Sequence, residues 1–258
     1  MCELFGLCAQ NEYDIREYLR EFFAHSVRHP HGWGLACQDG GNHMYVEREP
    51  RQASESQKLA DILARPVTTH TALAHIRYAT IGHVEDRNCH PYVMRDCTGR
   101  TWTLIHNGTI FDYAPLNRYV YLQTGDTDSE RILLYLVDQI NDREALLRRP
   151  LNRNERFRLL ESVLVPMAKG NKLNLIFTDG EVMYAHTNYR DSLYYLQEQG
   201  RIWFATVPLD QKEWRPVPFM RLMAYVDGQI LFEGKQHWSE YIYNAENMKY
   251  LYQTFAGL

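Results

Sequence analysis

Met1-Cys2-Glu3-Leu4-Phe5-Gly6 opens the chain, and removal of one methionine leaves a cysteine that carries a thiol and a free α-amino group on a single residue. A thiol with an ordinary pKa of about 8.5 is only a few per cent thiolate at neutral pH. An α-amino group near 7.7–8.0 is close enough in pKa to take its proton, directly or through one water. Cys2 is therefore a candidate self-activated nucleophile, although a cysteine at this position alone also fits a small buried hydrophobe. Four further segments carry polar groups at close spacing: His75-Ile76-Arg77-Tyr78-Ala79-Thr80, Asn88-Cys89-His90-Pro91-Tyr92, His106-Asn107-Gly108-Thr109 and Gly125-Asp126-Thr127-Asp128-Ser129-Glu130. Each has a plain structural reading. Arg77 at a strand end makes a surface ion pair, Asn107-Gly108 forms a type I′ turn, Thr127 to Glu130 starts a helix, and His90 is a satisfied loop histidine.

The elements that must hold these segments follow from periodicity. Glu3 to Gln10 reads as a buried strand. Asp14 to Arg28 reads as a helix with Asp14 as N-cap, its apolar stripe formed by Ile15, Tyr18, Leu19, Phe22 and Phe23. Trp33 to Cys37 and His43 to Glu47 pair as a hairpin, and Ser54 to Ala64 is helical, ended by Pro66. Thr71 to Ile76 and Thr101 to His106 are strands, separated by a polar stretch from Gly82 to Gly99 that reads as one long loop. Thr127 caps a helix to about Ile140, and the Arg-rich stretch Glu144 to Arg158 reads as the solvated face leading into a helix that ends near Gly170. Lys172 to Phe177, Val182 to His186, Ile202 to Thr206, Arg221 to Val226 and Ile230 to Phe232 are β-like, with tight turns at Asp179-Gly180 and Asp227-Gly228. The Tyr-rich end from Gln236 reads as a helix docked on the body or on another subunit. Strands and helices segregated in this way imply layered α+β architecture, with two sheets between helix layers.

Taken in order after an N-terminal cysteine, the four segments resemble the class II glutamine amidotransferases. These N-terminal-nucleophile hydrolases have the pattern C-G-I/E-L-x-G, H-x-R-x-A-T, N-x-H-P, H-N-G and x-T-D-S/T-E. The opening Met1-Cys2-Glu3-Leu4, Gly32-Trp33-Gly34 and a length near 260 residues are similar to the stand-alone members. The resemblance implies an α+β fold of four layers (αββα) with two mainly antiparallel sheets, a domain over 2–234 and a Tyr-rich extension over 235–258 packed on the domain or a partner subunit.

It also implies roles. Cys2 would attack a γ-glutamyl amide to give a thioester, Asn107 and Gly108 would donate to the oxyanion, Arg77 would read the α-carboxylate with help from Thr80, and Asp128 would read the α-ammonium. His90 would support loop structure. Two positions depart from the pattern: Ile81 stands where sugar-synthesising members often have histidine, and His31 where an acidic residue is expected. The activity implied is hydrolysis of glutamine or a γ-glutamyl amine. Alternatives are a glutaminase subunit supplying a separate synthase, and a non-catalytic γ-glutamyl-binding regulatory protein.

Composition bounds the rest. The chain has 258 residues, 45% hydrophobic, with net charge −4, which gives no overall attraction to nucleic acid or an anionic membrane. Five cysteines without a C-x-x-C pair suggest neither a disulfide framework nor a zinc ribbon, and no H-E-x-x-H occurs, so no metal and no cofactor are expected. Without a signal-like start the expected compartment is cytoplasmic. The expected partners are a small γ-glutamyl substrate, a separate synthase subunit in the alternative reading, and a second copy of the chain, with neither nucleic acid nor membrane.

Overall fold

The computed structural model describes residues 2–39 and 43–246. The strands are β1 (Glu3–Asp14), β2 (Trp33–Gln38), β3 (Met44–Glu49), β4 (Thr68–Ile76), β5 (Tyr92–Arg95), β6 (Thr101–His106), β7 (Leu175–Thr178), β8 (Met183–His186), β9 (Tyr194–Glu198), β10 (Arg201–Ala205), β11 (Arg215–Pro216), β12 (Leu222–Val226) and β13 (Gln229–Glu233). The α-helices are α1 (Arg16–Ala24), α2 (Gln57–Leu63), α3 (Asp128–Leu147) and α4 (Arg153–Ala168). One sheet runs β11-β9-β10-β1-β4-β2-β3 and the other β13-β12-β8-β7-β6-β5, and every pairing is antiparallel.

Alternation along the strands builds three cores and so four layers. In β1, Phe5, Leu7 and Ala9 face α1 and α2, whereas Leu4 and Cys8 face the other sheet and meet Ile105, Ile176 and Phe204. In β6, Trp102 and Leu104 turn outward onto Ile132, Leu136 and Phe157 of α3 and α4. The expected arrangement of two sheets between helix layers is the one observed.

Register explains where the reactive segments meet. Glu3 pairs with Ile76, so the residue before β1 and those after β4, Cys2 against Arg77 and Tyr78, lie at the same edge. In the second sheet His106 pairs with Leu175, and Thr109 bridges to Lys172, which brings Asn107 and Gly108 out at the end of β6 beside the start of β7.

Several elements differ from expectation for identifiable reasons. Asp14 is the last residue of β1, paired with Thr68, and its carboxylate accepts from the N–H groups of Arg16 and Val67; the N-cap of α1 is Ile15. The second helix starts later, capped by the Ser56 hydroxyl on the Leu59 N–H. The stretch from Gly82 to Gly99 is not one loop: Tyr92–Arg95 pairs with Thr101–Leu104 through a turn in which Asp96 Oδ1 accepts from the N–H groups of Thr98 and Arg100. Helix α3 is capped by Thr127 as expected but continues to Leu147. Arg156 is buried rather than solvated; it donates to Asp179 at 2.7 Å, Glu181 at 2.7 Å and the Leu151 carbonyl at 2.8 Å. Strand β9 carries a mixed, half-exposed pattern that gives no strand signal by itself, and its pairing with β10 makes it one. Residues 236–244 run without regular structure, residues 245 and 246 are helical, and the rest of the expected C-terminal helix, from 247, lies outside the described residues.

Candidate active site

The sulfur of Cys2 accepts the Tyr78 N–H at 3.3 Å and sits 3.5 Å from the Tyr78 carbonyl oxygen. Burial pushes the thiol pKa up, against the Tyr78 backbone N–H and the positive charges of Arg77 and Lys172, which favour the thiolate. The net shift is upward, so at neutral pH this sulfur carries its proton and needs a base to act as a nucleophile.

Cys2, Tyr78, Thr80, Asn107, Gly108, Thr109 and Lys172, with Tyr241 and Tyr243 from the C-terminal segment, line one small cavity. Its volume is about 20 Å³, room for roughly one water. Tyr241 is stacked on Phe111 at 6.0 Å, edge-on to Tyr189 at 5.6 Å, and its N–H donates to the Asn188 carbonyl at 2.7 Å. The C-terminal segment thus forms part of the wall around Cys2.

The Asn107-Gly108 turn is held on three sides. The Asn107 N–H donates to the Asn174 carbonyl at 2.9 Å, and Thr109 exchanges two backbone hydrogen bonds with Lys172, at 3.0 and 3.1 Å. His106 spans Ser129 Oγ at 2.9 Å and the Lys172 carbonyl at 3.2 Å; since a carbonyl only accepts, Nε2 carries the hydrogen and Nδ1 accepts from Ser129. Only glycine fits at 108, because a Cβ there would lie 2.0 Å from the Lys172 carbonyl oxygen and 2.3 Å from His106 Nε2. Lys172 Nζ donates to Asn107 Oδ1 at 3.3 Å and lies 4.8 Å from the centre of the Tyr189 ring. Burial pushes the Lys172 amine down to about 8, with Cys2 opposing the shift.

Arg77 and Asp128 do not line this cavity. The Arg77 guanidinium is buried and donates to the carbonyls of His83 at 2.8 Å, Ile81 at 2.8 Å and Gly82 at 3.0 Å, so its fork is filled by the loop that follows it. Asp128, also buried, accepts from the Ile110 N–H at 2.8 Å and ties the 107–110 segment to the start of α3. Ile81 faces a separate cavity of about 460 Å³ beyond the loop, lined also by Phe111, Asp126 and Arg131.

His31 takes a clear place: its Nδ1 accepts the Ala79 N–H at 2.9 Å, and its backbone N–H donates to the Arg77 carbonyl at 3.0 Å. Burial and the nearby Arg77 lower its pKa, which keeps the ring neutral and Nδ1 able to accept. His90 is buried, packs 4.0 Å from the His75 ring and accepts the His106 N–H at 3.4 Å, a supporting position. Of the sequence-based candidates, Cys2, Thr80, Asn107 and Gly108 are brought to one cavity. Lys172 and the Tyr78 N–H were not anticipated, since a lysine before a strand and a backbone donor leave no mark in the sequence.

The family model for class II glutamine amidotransferases matches residues 1–202. An uncharacterized protein of Methanocaldococcus jannaschii is 28% identical over 92% of this chain and 72% of its own length. The YafJ protein of Escherichia coli, whose name assigns it provisionally to the glutamine amidotransferases, is 29% identical over 82% of this chain and 81% of its own. Among solved structures, a Pseudomonas aeruginosa protein described by prediction as a glutamine amidotransferase superposes with a TM-score of 0.63 at 19% identity, covering 90% of this chain and all of that one. The glutamine phosphoribosylpyrophosphate amidotransferase of B. subtilis gives 0.62 at 16% identity over 89% of this chain and 48% of that one, a likeness of fold.

Proposed function

The chain belongs to the class II glutamine amidotransferases, and on that premise we propose that it hydrolyses a γ-glutamyl amide through a thioester on Cys2. In this reading Met1 is removed and the freed α-amino group takes the thiol proton. The sulfur then forms a bond to the γ-carbonyl carbon, and the carbonyl oxygen becomes an oxyanion. The Asn107 side-chain NH₂ and the Gly108 N–H stabilise that oxyanion. Collapse breaks the C–N bond, and the amino group returns the proton to the departing nitrogen, which leaves as ammonia or an amine. Water, deprotonated by the same amino group, attacks the thioester and releases glutamate with the thiol restored. Loss of one oxyanion donor in such a site typically costs about 100- to 1,000-fold in rate.

The observation that carries this reading is that Cys2, Asn107 and Gly108 line one small cavity. The raised thiol pKa supports the need for an internal base. Room for about one water is smaller than a γ-glutamyl group, and removal of Met1, movement of the 78–83 loop or opening of the Tyr241 and Tyr243 wall would supply the space that substrate needs. Arg77 and Asp128 are assigned to the head group of the substrate, with Thr80 assisting. Three of the five Arg77 donors serve the carbonyls of residues 81–83, so an α-carboxylate that takes both Nη groups displaces that loop and couples head-group binding to its rearrangement. In this reading the domain spans residues 2 to 234, and Tyr241 and Tyr243 of the extension that follows cover the site. The test is release of glutamate and of ammonia or amine from a panel of glutamine, glutathione and γ-glutamyl amines. Turnover of at least one, abolished in Cys2→Ala, is expected; no turnover of any of them contradicts the reading.

A further inference from the structure

Asn107 can serve an oxyanion only if its NH₂, and not its oxygen, faces the sulfur of Cys2, and nothing in the Asn-Gly dipeptide fixes that choice. Lys172 does. An ammonium has three donors and no acceptor, so the atom of Asn107 that lies 3.3 Å from Lys172 Nζ must be the oxygen. With Oδ1 held there, Nδ2 is directed away from the lysine.

Lys172 and Asn107 are both buried, and both line the cavity that Cys2 lines. The lysine backbone is joined to the same turn by two hydrogen bonds with Thr109, and its ammonium sits over the Tyr189 ring, so the side chain has little freedom to leave. Resting on the hydrolytic reading above, we propose that Lys172 is a positioning residue: it holds Asn107 Oδ1, presents Asn107 Nδ2 to the carbonyl oxygen of the reacting amide, and places a positive charge beside the anion formed at Cys2.

The pH behaviour follows. Burial brings the amine down to about 8, so the ammonium is present below that pH; above it a neutral amine no longer fixes the amide, and its charge is lost. Among the described residues, the ionisable groups around it include Cys2, His106 on β6, Tyr78 after β4, Tyr189 after β8, and Tyr241 and Tyr243 on the C-terminal wall.

The experiment compares wild type, Lys172→Met and Lys172→Arg with L-glutamine and γ-glutamyl methylamide as substrates. In parallel, the rate of Cys2 alkylation by iodoacetamide is read on the N-terminal peptide by mass. Expected for Lys172→Met is a kcat lowered about 10- to 100-fold with KM changed less than about threefold, together with loss of the alkaline limb near pH 8. Lys172→Arg, which keeps the charge and a donor, should recover part of kcat and move that limb above about pH 9. Alkylation at pH 7 should be several-fold slower in the Met variant, because the thiolate has lost a nearby cation.

A Met variant with kcat within about threefold of wild type, or an alkaline limb at the same pH in all three proteins, overturns the proposal. If Lys172→Met fails to fold, the position of the limb in Lys172→Arg decides. If wild type turns over neither substrate, the hydrolytic reading itself has failed, and Lys172 is judged by alkylation alone: equal rates in wild type and variant overturn its action on Cys2.

Discussion

Gly108→Ala is a one-carbon perturbation whose consequences can be worked from distances. The new Cβ would lie 2.0 Å from the Lys172 carbonyl oxygen, 2.8 Å from its carbonyl carbon and 2.3 Å from His106 Nε2, all parts of a buried framework rather than ends of flexible side chains. Restoring contact to about 3.4 Å requires the 107–109 turn to withdraw from residue 172 by roughly 1.4 Å. That movement breaks or stretches the two Thr109–Lys172 backbone hydrogen bonds and the His106–Lys172 bond. At about 1 kcal/mol for each of the three bonds, with about 1–3 kcal/mol for overpacking, the expected destabilisation is roughly 4–6 kcal/mol. A displacement near 1 Å in a positioning element costs about 100-fold in rate, so kcat should fall by at least that much in the fraction that folds. Urea unfolding and steady-state kinetics measure the two effects separately. A variant within about 0.5 kcal/mol of wild type and with unchanged kcat would refute both the packing of the turn and its place in the chemistry.

Arg77→Lys should raise KM about 10- to 100-fold, because an ammonium cannot reproduce a fork that satisfies three carbonyls and then a carboxylate, whereas Asn107→Ala should lower kcat about 100- to 1,000-fold with a smaller change in KM; equal modest KM changes in both would refute the assignment. Arg156→Met strands the buried carboxylate of Asp179 and should cost about 3–5 kcal/mol by urea unfolding with little effect on kcat of folded enzyme, and a neutral result would contradict the buried pairing. His75, His90, His106 and His186 are all pushed down by burial, His186 to about 3, so the folded state binds fewer protons than the unfolded chain. Stability should then be full above about pH 6.5 and lost as pH falls through the lowered values, His186 alone accounting for about 5 kcal/mol when fully titrated; an unfolding midpoint flat from pH 7 to 4 would contradict this. Hydrolysis should require a free α-carboxylate and α-ammonium, so N-acetylglutamine or asparagine turned over as fast as the best γ-glutamyl substrate would refute the head-group assignment.

What the sequence made legible is what local chemistry encodes. The alternation of β1, the hydroxyl cap of α3 and the Asp-Gly turns at 179 and 227 are each written in a few adjacent residues, and their sum yields the two-sheet, four-layer arrangement. Tyr92–Arg95 and β9 escaped because their strand character comes from pairing with β6 and β10 rather than from their own pattern. Arg156 was misread because a balanced charge run looks solvated until Asp179 is seen to lie beneath it. At the site, the residues named from motif order split in two: Cys2, Thr80, Asn107 and Gly108 share a cavity, whereas Arg77 and Asp128 are occupied by backbone groups of residues 81–83 and 110. A motif records residue types in order, and not the backbone groups that those side chains bond. Lys172 belongs to neither class of signal, since its importance arises only where β6 and β7 end side by side.

Whether Cys2 activates itself and carries the γ-glutamyl group is decided by intact-mass analysis of enzyme quenched in acid during turnover of its best γ-glutamyl substrate. Expected is active protein without Met1, a fraction heavier by one γ-glutamyl group, and the added mass localised to Cys2 and absent from Cys2→Ala. Fully active protein that retains Met1, or that turns over while the added mass resides elsewhere, would contradict it.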